Sequence, residues 1–359
     1  MANIIISCAS LSSGGAERVL SILSKPLCDR FGNVTYILWL DLPVFYQVDG
    51  RVKIISIAKE IGSNNELKRM LCFRRLVKRE NPDLILSFLE PWNIRVLLSA
   101  IGLNTRIIVA ERNDPRSVNK YWIVNKLEKM VYHLADKILV QTETIREFFN
   151  GSLANRTDII YNPVNLTEEL VGKALTTPKK KRIVSVARLT PQKRHDMLIR
   201  SFAKFSKMHP DYILTIYGDG PQRQELQQLT VMLGIEDKVE MPGVVKTIHN
   251  DIMDAEMFCL VSIREGMSNS MIEAMCLGLP CICTKVSGAI DLIESNVNGI
   301  LIDIDDEKAL YEQMCRVADD KEYAVRLGEE AMQIYNMLRA DSIAEQWTEY
   351  MAGLIQGEA

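Results

Sequence analysis

Short apolar runs alternate with longer amphipathic segments along the whole chain. Strand-sized runs fall at Asn3–Cys8, Val34–Leu40, Lys53–Ile57, Asp83–Phe88, Arg106–Ala110, Lys137–Gln141 and Asp158–Ile160. Helical patterns separate them, among them Ala16–Phe31, where Pro26 should kink or shorten the element. The rhythm restarts after YNPVN, Tyr161–Asn165, a turn-prone stretch whose Pro163 disfavours helix at Asn162. Further strands are expected at Ile183–Val186, Tyr212–Tyr217, Lys238–Met241, Met257–Val261, Pro280–Thr284 and Gly299–Ile302, and closing helices at Glu307–Ala318, Glu322–Leu338 and Ser342–Ile355. A repeated strand–helix alternation implies parallel sheets covered by helices on both faces. The pattern therefore predicts an α/β protein of two Rossmann-like domains sharing a cleft, with ligands bound beyond the carboxyl ends of the strands.

Composition agrees with this picture. A chain of 359 residues is too long for one ordinary core, and 47% hydrophobic with 25% charged residues is a folded composition. No apolar run approaches the roughly 18 residues of a membrane span. The start, MANIIISCASLSSGG, lacks the basic residues and the long apolar run of a signal peptide. Eight cysteines without a CxxC are read as buried thiols in a reducing cytoplasm.

Charge adds an asymmetry. Up to Asn165 there are 22 basic against 16 acidic residues, and beyond it 21 against 30. Residues 66–79 concentrate Lys68, Arg69, Arg74, Arg75, Lys78 and Arg79 beside Leu67, Met70, Leu71, Phe73, Leu76 and Val77. Such a basic amphipathic helix either contacts anionic lipid or packs its apolar side on the first sheet. The expected location is cytoplasmic, with peripheral attachment to the inner face of the membrane if the first alternative holds. No nucleic-acid partner is expected.

Four constellations follow strands directly. SSGGAERV places Gly14 and Gly15 between the first strand and a helix, where backbone can approach a phosphate. It is not GxGxxG, which argues against a dinucleotide enzyme. VSVARLTPQKRHDML carries Arg188 and Lys193 off a strand end, a pair suited to clamping a diphosphate. YGDGPQRQEL supplies Gly218 and Gly220 as turn formers, and MPGVVKTI another strand-end turn, at Val244–Val245, able to hold a flat base. REGMSNSMIEA sets Glu265 and Glu273 on either side of a helix start, with backbone amides at Met267, Ser268 and Asn269. A carboxylate among methionines and isoleucines costs several kcal/mol to bury unless it is paired. A vicinal diol is one partner that would satisfy each.

Glu265-x7-Glu273, with Arg188 and Lys193 upstream and a glycine loop after strand one, resembles the retaining nucleotide-sugar glycosyltransferases of family 4, which have the two-domain GT-B architecture. The resemblance covers almost the whole chain. It implies an acceptor-side domain at 1–165, a nucleotide-sugar domain at 166–340, and a terminal helix at 341–359 returning to the first domain. Arg188 and Lys193 would hold the diphosphate of a UDP-sugar, Glu273 the ribose hydroxyls, and Glu265 the hydroxyls of the transferred sugar. Met267, Ser268 and Asn269 would add backbone contacts, Gly15 would reach the phosphate from the other domain, and Val245 would meet the base. Glu265, Arg188 and Lys193 are the expected catalytic group.

The same resemblance implies transfer of a hexose or N-acetylhexosamine to a glycan or polyprenyl-diphosphate-linked acceptor in surface-polysaccharide synthesis. No cofactor and no metal are expected, with the cation work falling to Arg188 and Lys193. One departure is VAERNDPR, with Arg112 where many relatives carry a histidine; Arg112 and Asn113 become candidates for acceptor or donor-phosphate contact, the alternative for Arg112 being an ion pair with a nearby carboxylate. A GT-B nucleotide-sugar epimerase and a non-catalytic nucleotide-sugar-binding protein are the competing functions.

Overall fold

The computed structural model describes residues 1–12, 14–112, 114–115, 122–245 and 247–357. The chain forms two compact units, Met1–Asn165 with Leu338–Ala359, and Leu166–Met337.

In the first unit seven strands, β1 (Ala2–Cys8), β2 (Gly32–Leu38), β3 (Lys53–Ser56), β4 (Leu84–Phe88), β5 (Arg106–Ala110), β6 (Lys137–Val140) and β7 (Thr157–Ile159), form one sheet. Its order is β3-β2-β1-β4-β5-β6-β7, and every pairing is parallel. Alternate residues of a strand point to opposite faces. Ile4 and Ile6 accordingly join a core with Leu20, Leu23 and Leu27 of helix Gly15–Phe31 and with Trp347 and Met351 of the terminal helix Ala340–Gln356. Ile5 joins the other core, with Trp39, Phe73 and Val96. With both faces covered, the strands need no polar side, which is why they read as unbroken apolar runs.

Two local expectations change. Helix Gly15–Phe31 continues through Pro26 without being shortened. The lost backbone bond is tolerated because Leu23 on one side of it and Leu27, Cys28 and Phe31 on the other are buried and hold the helix down. In the basic helix Glu66–Glu80 the cations are not equivalent. Arg69 is buried and donates to the Ser63 carbonyl at 3.0 Å, and Arg74 donates to the carbonyls of Ser99 and Ile101 at 2.8 and 2.7 Å. Arg79 pairs with Glu80 at 2.9 Å. Phe73, Leu76 and Val77 are core, so Leu67, Leu71, Lys68, Arg75 and Lys78 make up the exposed side.

The second unit has six parallel strands, β8 (Lys180–Val186), β9 (Ile213–Tyr217), β10 (Val239–Gly243), β11 (Ala255–Leu260), β12 (Cys281–Thr284) and β13 (Ile300–Ile302), in the order β10-β9-β8-β11-β12-β13. The direction of winding reverses between β8 and β11, and loops leaving the carboxyl ends of strands diverge at such a point to leave a crevice. The helix expected at Glu322–Leu338 is two helices, Lys321–Met332 and Ile334–Leu338. The chain then straightens so that Arg339 pairs with Val164, whose N–H donates to the Leu338 carbonyl at 2.7 Å. All eight cysteines are free thiols, and no described helix is long and apolar enough to cross a membrane.

Candidate active site

The loop after β8 is stitched to its neighbours by main chain. Ala187 N–H donates to Tyr217, Leu189 N–H to Asp219 and Gln222 N–H to Leu189, at 3.0–3.1 Å. This contact is too close for side chains: a Cβ at Gly218 would lie 2.0 Å from the Ala187 oxygen, and one at Gly220 2.4 Å from that of Leu189. Both glycines therefore serve the approach of the two loops. Arg188 leaves this braced backbone exposed, and its guanidinium has no ion pair among the described residues.

From β11, the loop Ser262–Ser268 meets the β8 loop through Ile263 N–H donating to the Gln192 carbonyl at 2.9 Å and the Gln192 amide donating to the Arg264 carbonyl at 2.7 Å. Lys193 and Glu265 form an ion pair here, both side chains largely sheltered. Ser262 Oγ donates to Glu265 Oε1 at 2.8 Å, and Ser262 is itself held by Thr284 Oγ1, which donates to its carbonyl at 2.5 Å. Gly288 N–H donates to the Gly266 carbonyl at 2.7 Å, and a Cβ on Gly288 would come within 2.4 Å of that oxygen. The Glu265 loop is thus clamped from both sides.

Ser268 caps helix Asn269–Cys276, its hydroxyl accepting from Met271 N–H at 3.4 Å. One turn in, Glu273 is 3% exposed. His249, on the short helix Ile248–Ile252, places Nε2 3.3 Å from Glu273 Oε2. The distance is that of an ion pair, but the alignment is not that of a hydrogen bond, and the buried Nε2 has no hydrogen-bond partner. Val245 lies half-buried in the turn between β10 and this helix. Each glutamate of the sequence motif therefore faces a basic side chain from another loop. The partner of Glu273 was absent from the sequence-level site, because nothing in its local pattern distinguishes His249 from the other histidines.

His195 begins the helix after Lys193 and is 1% exposed, with Nδ1 unpartnered. Burial, with the Lys193 charge adding to it, pushes its pKa down to about 4. It is therefore neutral near pH 7.

Two family models match consecutive parts of the chain: glycosyltransferase family 4 over residues 13–168 and group 1 glycosyl transferases over 167–334. It is a family 4 glycosyltransferase of the GT-B fold. An undecaprenyl-diphosphate-glycan alpha-1,4-N-acetyl-D-galactosaminyltransferase of Campylobacter jejuni is 28% identical over 355 residues, 96% of each chain. A second Campylobacter jejuni N-acetylgalactosaminyltransferase, named for a diphospho-undecaprenol acceptor, is 29% identical over 330 residues, 87% of this chain and 88% of that one. The solved Anabaena HepE, in complex with UDP and glucose, superposes with a TM-score of 0.82 at 20% identity, covering 98% of this chain and 100% of that one; at that identity the likeness concerns the fold.

In the first unit of this glycosyltransferase, Gly15 opens helix Gly15–Phe31, exposed behind Gly14. Arg112 is buried. Its guanidinium lies 4.8 Å from the Phe88 ring centroid and 5.1 Å from that of Trp347, and donates to Asn162 Oδ1 at 3.2 Å. Desolvation draws its pKa down, with Glu111 acting in the opposite sense. Arg112 thus lies against both of these rings, which stack on each other with centroids 5.8 Å apart. Asn113 lies outside the described residues.

Proposed function

We propose that this glycosyltransferase moves an N-acetylhexosamine or hexose from a UDP-sugar to a polyprenyl-diphosphate-linked glycan, with retention at the anomeric carbon and without a metal. The observation that carries the proposal is the Lys193–Glu265 pair, held by Ser262 where the winding of the second sheet reverses. Lys193 would exchange Glu265 for the donor diphosphate, joined there by the exposed Arg188. Glu265, released, would accept from hydroxyls of the transferred sugar. Glu273 would take the ribose diol and the Val245 turn the base, with main chain at Met267, Ser268 and Asn269 completing the donor contacts.

Fixed cations at a diphosphate stabilise the charge that grows as the glycosidic bond breaks. With no carboxylate placed as an enzymatic nucleophile, the departing phosphate oxygen would take the acceptor hydroxyl's proton, and attack would come on the face it leaves. The printed activities of the Campylobacter relatives support an N-acetylhexosamine and a lipid-linked acceptor. For that acceptor, the exposed Leu67, Leu71, Lys68, Arg75 and Lys78 would give peripheral attachment to an anionic cytoplasmic membrane face.

A thermal-shift panel of UDP-, GDP- and ADP-sugars, followed by transfer to a polyprenyl-diphosphate glycan with the product's anomeric configuration read by NMR, tests the proposal. Stabilisation by UDP-sugars and an axial product are expected. Preference for another nucleotide, or an inverted product, overturns it.

A further inference from the structure

His249, outside the proposed clamp, is a basic group whose geometry is both specific and incomplete. Its Nε2 is buried, without a hydrogen-bond partner, and sits 3.3 Å from a carboxylate oxygen on a different helix. A buried donor left in this state is unfavourable relative to one that is bonded, and the distance is already short enough for a bond once the two groups align. His249 also stands four residues after Val245, so one short segment runs from the turn assigned to the base to the carboxylate assigned to the ribose.

We propose that His249 is a positioning residue for the nucleoside half of the donor, an inference that rests on the reading of Glu273 as the ribose-binding carboxylate. When a vicinal diol engages Glu273, the carboxylate turns to present its oxygens to two hydroxyls. That turn lines Oε2 up with Nε2–H of His249. The diol and the histidine then bind the same carboxylate, each favouring the orientation the other needs. Hydrogen bonds at catalytic and binding groups are often long in the free protein and tighten only in the complex. His249 touches no reacting atom in this scheme. It acts through Glu273, and its effect falls on donor affinity rather than on the chemical step.

The test measures UDP and 2′-deoxy-UDP binding by calorimetry for wild type, Glu273→Ala, His249→Ala and His249→Gln, with donor KM and kcat alongside. Glu273→Ala should erase most of the preference for UDP over the deoxy compound. His249→Ala should weaken UDP roughly tenfold and 2′-deoxy-UDP less than about threefold, as the loss of one charge-assisted hydrogen bond would. Donor KM should rise with kcat nearly unchanged. His249→Gln, whose amide nitrogen can reach the position of Nε2, should restore most of the affinity.

If Glu273→Ala weakens both nucleotides equally, the ribose assignment falls and the role of His249 falls with it. If Glu273→Ala discriminates but both His249 variants bind like wild type, or His249→Ala weakens both nucleotides alike, the inference is overturned while the assignment of Glu273 stands. Melting curves of the two His249 variants show whether either has lost its fold, and the glutamine variant keeps the test decisive if the alanine one has.

Discussion

The two units share a parallel-sheet plan with one reversal of winding, yet they use charge at their strand ends in opposite ways. In the first, the cation after β5 is held by the protein: Arg112 is buried against Phe88 and Trp347 and bonded to Asn162. In the second, Lys193 and His249 each stand against a glutamate, and Arg188 remains exposed. Aromatic rings attract a cation through their electron-rich faces, so such a group is held within the protein itself. A sheltered acid–base pair on loops at the carboxyl end of a sheet is the kind of group the proposed function calls on. The fold does not decide which occurs; the side chains at the strand ends do.

The largest effect that would break this contrast is at Trp347. Its truncation to Ala should lower stability by about 3–5 kcal/mol, since a fully buried tryptophan is lost along with its contact to Arg112. A thermal or urea melt close to wild type would show that the terminal helix is not part of the first core. Next comes Lys193→Ala, expected to raise the transfer barrier by about 2.7–4 kcal/mol, on the order of a hundredfold or more in kcat, with little change in melting. Unaltered turnover would remove Lys193 from the chemistry.

A third test uses pH. The folded pKa of His195, about 4, lies below its ordinary 6.5, so the unfolded chain takes up the proton first as pH falls. The corresponding stability, up to about 3 kcal/mol, is complete above pH 6.5 and is lost between there and pH 4. Melts across that window should be less steep in pH for His195→Phe, and identical slopes would refute the burial argument. A smaller effect is expected on vesicles. Neutralising Lys68, Arg75 and Lys78 should weaken binding to anionic vesicles by about 1 kcal/mol per cation at low salt, read by sedimentation. Arg74 is unsuited to that experiment, since it holds the Ser99 and Ile101 carbonyls. Smallest of all should be Arg112→Met, within about 1 kcal/mol of wild type in stability, as apolar replacement of a buried ion often is. A loss of several kcal/mol would mean that the charge itself is required there.

Much of the fold is legible along the chain. Every expected strand is present within a few residues, because strands buried on both faces leave an unmistakable apolar run. Pro26 does not shorten its helix because its local cost is outweighed by buried neighbours on both sides, which are visible only once the helix is packed. The end of helix Ile334–Leu338 coincides with a bridge between Val164 and Arg339, far apart in sequence. At the site, Arg188, Lys193, Glu265 and Glu273 were recognisable from residue type and spacing, whereas Ser262 and His249 carry no such signature.

The sequence alone determined two α/β units and the acids and cations at their strand ends, since burial periodicity and strand-end placement are local properties. Only the tertiary structure decided who faces whom: Lys193 with Glu265, 72 positions apart, His249 with Glu273, and Arg112 with Trp347. The reason is topological. In the second unit β8 and β11 are neighbours in the sheet but distant in the chain, so the loops that leave them meet only after the sheet has formed.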